Sequence, residues 1–282
     1  MSVSLSHRFF VLLLRLTGGR KILGRQFKKG RSATAAPKDK EIDAYEMTKS
    51  EFEGQTIWHY SGNDTLIYYL HGGAFVLGFS PLYFPMMGKI AAASGATLIA
   101  PDYPLPPKHT AIQTHEWMRA HFLKTIEIAA PRRVIIMGDS AGANLAIGLA
   151  NWLSTSGHQA ADKLVLIAPW VDLEMQNPDM VLNSGEQLLF PEDLREAALR
   201  YAGTMDINDP LISPVHASIL ELPETHIFTG DKDLLHPDII RFAAKHPKAK
   251  LNVAEEMPHV YMLMPTKEAK TAIARIGEAV NA

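Results

Sequence analysis

The sequence predicts an α/β fold with a mostly parallel central sheet, helices on both faces and a small helical cap. Three observations lead there. Short apolar runs of strand length alternate with longer helical patterns from about residue 43 to the end. A Gly-x-Ser-x-Gly pentapeptide, 138–142, lies at the junction of a strand and a helix. One polar, Pro-punctuated interval between Asp172 and Pro214 breaks the alternation. An insertion of that size between two strands reads as a lid or cap.

Taken in order, the chain divides at about residue 40. Within 1–40, Phe9, Phe10, Val11, Leu13, Leu14 and Leu16 form a helical apolar patch. From Arg15 to Lys40 there are nine Lys/Arg and one acid, Asp39. The plain reading is a surface helix packed on the main domain and then a solvated basic connector. The sharper one is an amphipathic element against anionic lipid. Residues 41–53 and 56–60 read as a strand pair closed by a turn at Gly54. Residues 65–70 (TLIYYL) form a buried-type strand bounded by Gly62-Asn63-Asp64 and Gly72-Gly73. Further strands are predicted at 96–100, 133–137, 164–168, 226–229 and 251–254. Helices are predicted at 84–94, 110–128, 141–154, 191–201, 237–245 and 266–280. The cap insertion spans about 174–205, and the main domain 41–282.

Composition narrows the functional classes. With 47% apolar and 21% charged residues the chain is an ordinary globular sequence. It has no cysteine, which excludes disulfides, thiol nucleophiles, iron–sulfur clusters and Cys-ligated zinc. A net charge of −2 gives no global basic field for nucleic acid. The longest apolar run, 9–14, is far below the roughly 20 residues a spanning helix needs. It also lacks a cleavage site after it, so the expected location is cytoplasmic.

The pentapeptide Gly138-Asp139-Ser140-Ala141-Gly142 carries the chemistry. A serine on such a turn presents its hydroxyl, and the helix behind it aims free N–H groups where negative charge develops. Upstream, His71-Gly72-Gly73-Ala74-Phe75 follows TLIYYL. Paired glycines permit a loop with inward amides, so Gly72, Gly73 and Ala141 are the expected oxyanion donors. A base is needed, and His259 stands after the last strand, on the edge where the loops of a doubly wound sheet gather. His226, His236 and His246 are poorly placed. His115-Glu116 with His121 fails as a zinc helix because Arg119 occupies the second ligand position. For the acid, the loop 230–238 offers Asp231, Asp233 and Asp238, equivalent by position.

Together, HGGAF, GDSAG, PDYPLPP (101–107), PWVDL (169–173), DPLISP (209–214) and PHVYMLMP (258–265) resemble the bacterial hormone-sensitive-lipase-like esterases. The similarity covers about residues 40–282 and implies an α/β-hydrolase fold with Ser140, Asp233 and His259 as catalytic triad. In that family the acid has Gly three residues before it and Leu two after, which Gly230 and Leu235 supply for Asp233. The resemblance further implies a short-acyl carboxylesterase with a cap built partly from the N-terminus. It needs no metal or other cofactor, takes a small-molecule ester, and allows a homodimer along the last strand. His71 and Asp139 are expected in supporting roles. Phe75, Trp170, Leu188, Leu189 and Tyr261 are candidate pocket residues. The chain departs from the family at Pro104 and Pro106, and at Ala143 after GDSAG. Two rivals share the architecture, an arylformamidase and a non-catalytic receptor like those for plant gibberellins. The receptors lose the histidine that His259 keeps.

Overall fold

Eight strands form one sheet in the computed structural model, which describes residues 3–30, 34–182, 188–218 and 221–282. They are β1 (Met47–Phe52), β2 (Gln55–Tyr60), β3 (Asn63–Leu70), β4 (Ala96–Pro101), β5 (Arg133–Asp139), β6 (Lys163–Ile167), β7 (Glu224–Gly230) and β8 (Ala249–Ala254). Their order is β1-β2-β4-β3-β5-β6-β7-β8. The β1/β2 and β2/β4 pairings are antiparallel and the other five are parallel.

The central strands are apolar on both faces, as sheets covered by helices require. On β3, Leu66, Tyr68 and Leu70 enter one core while Ile67 and Tyr69 enter the other. On β5, Val134 and Ile136 oppose Ile135 and Met137 in the same way. The first core is closed by α5 (Ala111–Ala129), α6 (Ser140–Thr155) and α8 (His236–Ala244), through residues such as Met118, Leu145 and Phe242. The second is closed by α4 (Tyr83–Ser94) and α9 (Lys267–Asn281), through Phe84, Met87, Ile273 and Ile276.

Two stretches differ from the sequence-based expectation. Residues 41–44, expected as strand, belong to a short helix, α3 (Asp39–Ala44), and β1 begins only at Met47. The Glu41 carboxylate accepts from the Lys38 amide at 2.9 Å, a local cap that outcompetes strand pairing there. Much of the expected basic connector is also helical. Helix α1 (Leu5–Thr17) ends on left-handed Gly18, and α2 (Gly19–Lys29) runs directly from it. On α2, Leu23 and Phe27 share one face and join the first core, while Lys28 pairs with Asp193 at 3.0 Å. Asp193 lies on α7 (Pro191–Ala202), whose Arg200 donates to the Phe27 and Lys28 carbonyls. Thus α2 is clasped to α7, and the N-terminal segment meets the insertion over the sheet edge. Residues 31–33 of the expected connector and 183–187 of the expected cap lie outside the described residues.

Candidate active site

The chain turns from β5 into α6 at Ser140, whose φ is +51°, a left-handed conformation rare for a side-chain-bearing residue. Its neighbours explain how the turn closes. A Cβ on Gly142 would stand 2.1 Å from the Leu70 carbonyl oxygen, and one on Gly138 2.5 Å from that of Gly142. Glycine is therefore demanded at both positions, and the strain holds the serine hydroxyl out at the C-terminal edge of the sheet. The Ser140 carbonyl accepts from the Trp170 amide, and the Asn144 side chain bonds the Trp170 and Ile212 carbonyls.

Loops after β7 and β8 reach the same edge. His259 Nε2 lies 2.9 Å from Ser140 Oγ, and His259 Nδ1 lies 2.9 Å from Asp233 Oδ2. The other Asp233 oxygen accepts from the Leu235 amide at 2.9 Å. Asp233 is wholly buried, and Ser140 and His259 nearly so. The structure therefore distinguishes the three carboxylates that position left equivalent. Asp231 accepts from the Glu256 amide at 2.6 Å. Asp238, at the start of α8, is held by Asn177 and Arg241, each at 2.7 Å.

Asp139 and His71 brace the glycine loop. Asp139 Oδ1 accepts from Tyr69 at 2.7 Å and from the Gly72 amide at 2.9 Å, and Oδ2 accepts from Tyr83 at 2.8 Å. Burial pushes its carboxyl pKa up, and the Tyr69 and Tyr83 donors pull it back. The His71 ring stacks on Tyr103 with centroids 4.3 Å apart, and its Nε2 lies 3.4 Å from Asp102. Tyr103 donates to the His71 carbonyl at 2.6 Å.

This bracing corrects one expectation. The Gly72 N–H, expected as an oxyanion donor, is occupied by Asp139 and Tyr83. Among the described residues no protein group accepts from the Gly73 or Ala74 amides, and both residues line the cavity with Ser140. Gly73, Ala74 and Phe75 all have positive φ (112°, 53° and 59°), so the loop coils left-handed where these amides lie. Ala141, second in α6, has an N–H with no acceptor inside its helix. The Ala74 amide at the cavity was not singled out in the sequence, although a third small residue after the two glycines was its signal.

Above Ser140 and His259 lies a cavity of about 470 Å³, apolar over most of its lining. Leu188 and Leu189 line it as expected. Phe75, Trp170 and Tyr261 do not. Phe75 stacks on Tyr201 at 3.8 Å, and Trp170 is buried with its indole N–H on the Asp172 carbonyl. The roof comes from α1 and α2, through Phe10, Leu14, Ile22, Leu23 and Phe27. Sequence reading missed these because periodicity marks an apolar face without saying what it covers.

Comparison with known proteins places this geometry. The family model for the alpha/beta hydrolase fold matches residues 67–263. An esterase of Acinetobacter venetianus is 30% identical over 203 residues, 71% of this chain and 67% of that one. An acetyl-hydrolase of Streptomyces hygroscopicus is 32% identical over 196 residues, 68% and 66% of the two chains. A crystal structure of a hormone-sensitive lipase from a metagenome library superposes with a TM-score of 0.80 at 26% identity, covering 97% of both chains.

Proposed function

Since the chain belongs to the alpha/beta hydrolase fold family, we propose that it is a serine carboxylesterase acting on short-acyl esters through an acyl-enzyme. The observation that carries this reading is the continuous relay from Ser140 Oγ through His259 to buried Asp233, opening on an apolar cavity. The esterase and acetyl-hydrolase names of its relatives support the same reaction class.

In this mechanism His259 Nε2 takes the Ser140 proton as the hydroxyl oxygen attacks the ester carbonyl. Asp233 fixes the proton on Nδ1 and stabilises the imidazolium that forms. The carbonyl oxygen becomes an oxyanion held by the Gly73, Ala74 and Ala141 amides. Each such donor is worth on the order of 3 kcal/mol in the transition state. Collapse of the tetrahedral intermediate breaks the bond to the alkoxy oxygen, which leaves as the alcohol with the proton from His259. A water, deprotonated by His259, then attacks the acyl-serine; the acyl–Oγ bond breaks, Ser140 takes the proton back from His259, and the acid leaves.

Hydrolysis of p-nitrophenyl esters from acetate to palmitate, with Ser140→Ala as control, tests the proposal. Rates peaking at short chains and lost in the variant are expected. Equal rates for the two proteins would remove Ser140 as nucleophile.

A further inference from the structure

Helix α1 has two apolar faces, and only one is used among the described residues. Phe10 and Leu14, with buried His7, turn toward the body. At 100° per residue, Leu5, Phe9, Leu12, Leu13 and Leu16 fall within a sector of about 100° on the other side. All five are exposed, Leu5 at 82%, Phe9 at 67% and Leu16 at 77%. Scattered exposed leucines are ordinary on a protein surface, but a continuous three-turn stripe marks a binding face.

Charge says what that face meets. Arg8 and Arg15, both exposed, run along one edge of the stripe, and α2 adds exposed Lys21, Arg25 and Lys29. The first 31 residues hold eight Lys/Arg and no acid, so the other 251 carry −10 of the whole-chain −2. A second copy of the chain would bring the same cations against themselves. An anionic lipid headgroup layer would attract them while its acyl boundary accepts the stripe.

We propose that α1 docks the protein on an anionic lipid surface, its leucine–phenylalanine stripe in the acyl boundary and its arginines among the headgroups. The inward side of α1, next to the stripe, lends Phe10, Leu14 and Thr17 to the cavity. Docking therefore sets the cavity within about one helix diameter, roughly 10–12 Å, of the lipid.

The test is co-sedimentation of the full-length Ser140→Ala protein with vesicles of phosphatidylcholine alone or mixed with phosphatidylglycerol. Binding to the mixed vesicles alone, weakened by salt, is expected. In that background Arg8→Gln with Arg25→Gln lowers partitioning about thirty-fold, from the usual contribution of two cations at an anionic surface. Phe9→Ser with Leu16→Ser abolishes binding. Placed in the wild-type chain, the same pair leaves hydrolysis of soluble p-nitrophenyl acetate unchanged, which shows the fold intact. No binding by the parent protein, or binding that neither pair weakens, overturns the proposal. So does a dimer in sedimentation that the Phe9/Leu16 pair converts to monomer, since a second copy would then cover the stripe.

Discussion

Replacing Asp233 by Asn separates a carboxylate that sets a tautomer from one that merely fills space. The side chain is wholly buried, with Oδ2 at 2.9 Å from His259 Nδ1 and Oδ1 taking the Leu235 amide at 2.9 Å. An asparagine of the same shape keeps the Leu235 bond through its carbonyl oxygen. Its NH₂ group then faces His259 Nδ1, which must become an acceptor. The imidazole proton moves to Nε2, so a donor confronts Ser140 Oγ where an acceptor is required. In a serine hydrolase of unrelated fold this exchange lowers kcat about 10⁴-fold with the geometry intact, or about 5.4 kcal/mol of transition-state stabilisation. Stability should change little, because the Leu235 and His259 contacts are both kept. The assay is kcat and KM for p-nitrophenyl acetate alongside the thermal midpoint. A loss of less than tenfold would refute the tautomer argument. Asp231→Asn and Asp238→Asn serve as controls and should stay within a few-fold of wild type. Either of them falling as far as Asp233→Asn would reassign the acid.

Further outcomes follow from the same packing. Gly142→Ala puts a methyl 2.1 Å from the Leu70 carbonyl oxygen, backbone against backbone. It should cost on the order of 3 kcal/mol in urea unfolding, and a stable, active variant would refute the elbow argument. Asp139→Asn cannot accept from Tyr69, Tyr83 and Gly72 together, so the glycine loop should loosen. A fall in kcat on p-nitrophenyl acetate at near-constant KM is expected, and a change confined to KM would contradict it. Buried His115 and His121 are pushed down to about 3 and about 4 by desolvation. The unfolded chain protonates them near 6.5, so their stabilisation is complete above that pH and declines as pH falls toward their folded values. These two rings alone should contribute about 4 kcal/mol to the loss of stability in urea unfolding between pH 7 and pH 5, and His115→Gln should remove about half of that contribution. A flat profile would show these rings already protonated in the fold.

Local patterns made most of the sheet legible. Strands buried on both faces read as unbroken apolar runs, and TLIYYL and RVIIM stand in the structure within a residue or two of expectation. Helix α2 was not legible because its apolar positions, Leu23 and Phe27, are diluted by six Lys/Arg and Gln in eleven residues. Its stability comes from α7, 173 residues away in sequence at the Phe27–Arg200 bond, and no local window contains that contact. The pocket was read only in part, through Leu188 and Leu189, for the same reason. Phe75 and Trp170 are large and near the motifs, yet each finds a partner behind the wall, and part of the roof is supplied by α2, which reads as solvated.

The choice of oxyanion amide shows how two legible motifs can still mislead when read separately. HGGAF offers amides and GDSAG offers the nucleophile, and counting donors from the first glycine is the natural reading. Asp139, one residue before the serine, reaches across to the Gly72 amide and to Tyr83, which also touches that amide. The motifs are thus clamped together by a carboxylate belonging to one and an amide belonging to the other. That clamp occupies the first amide and leaves those of Gly73 and Ala74 for the proposed role, their positive φ values holding the loop in its left-handed coil. A buried carboxylate beside a site that must stabilise negative charge would be costly if its field reached the oxyanion. Tyr69, Tyr83 and Gly72 together donate to both of its oxygens, which directs its charge into the scaffold.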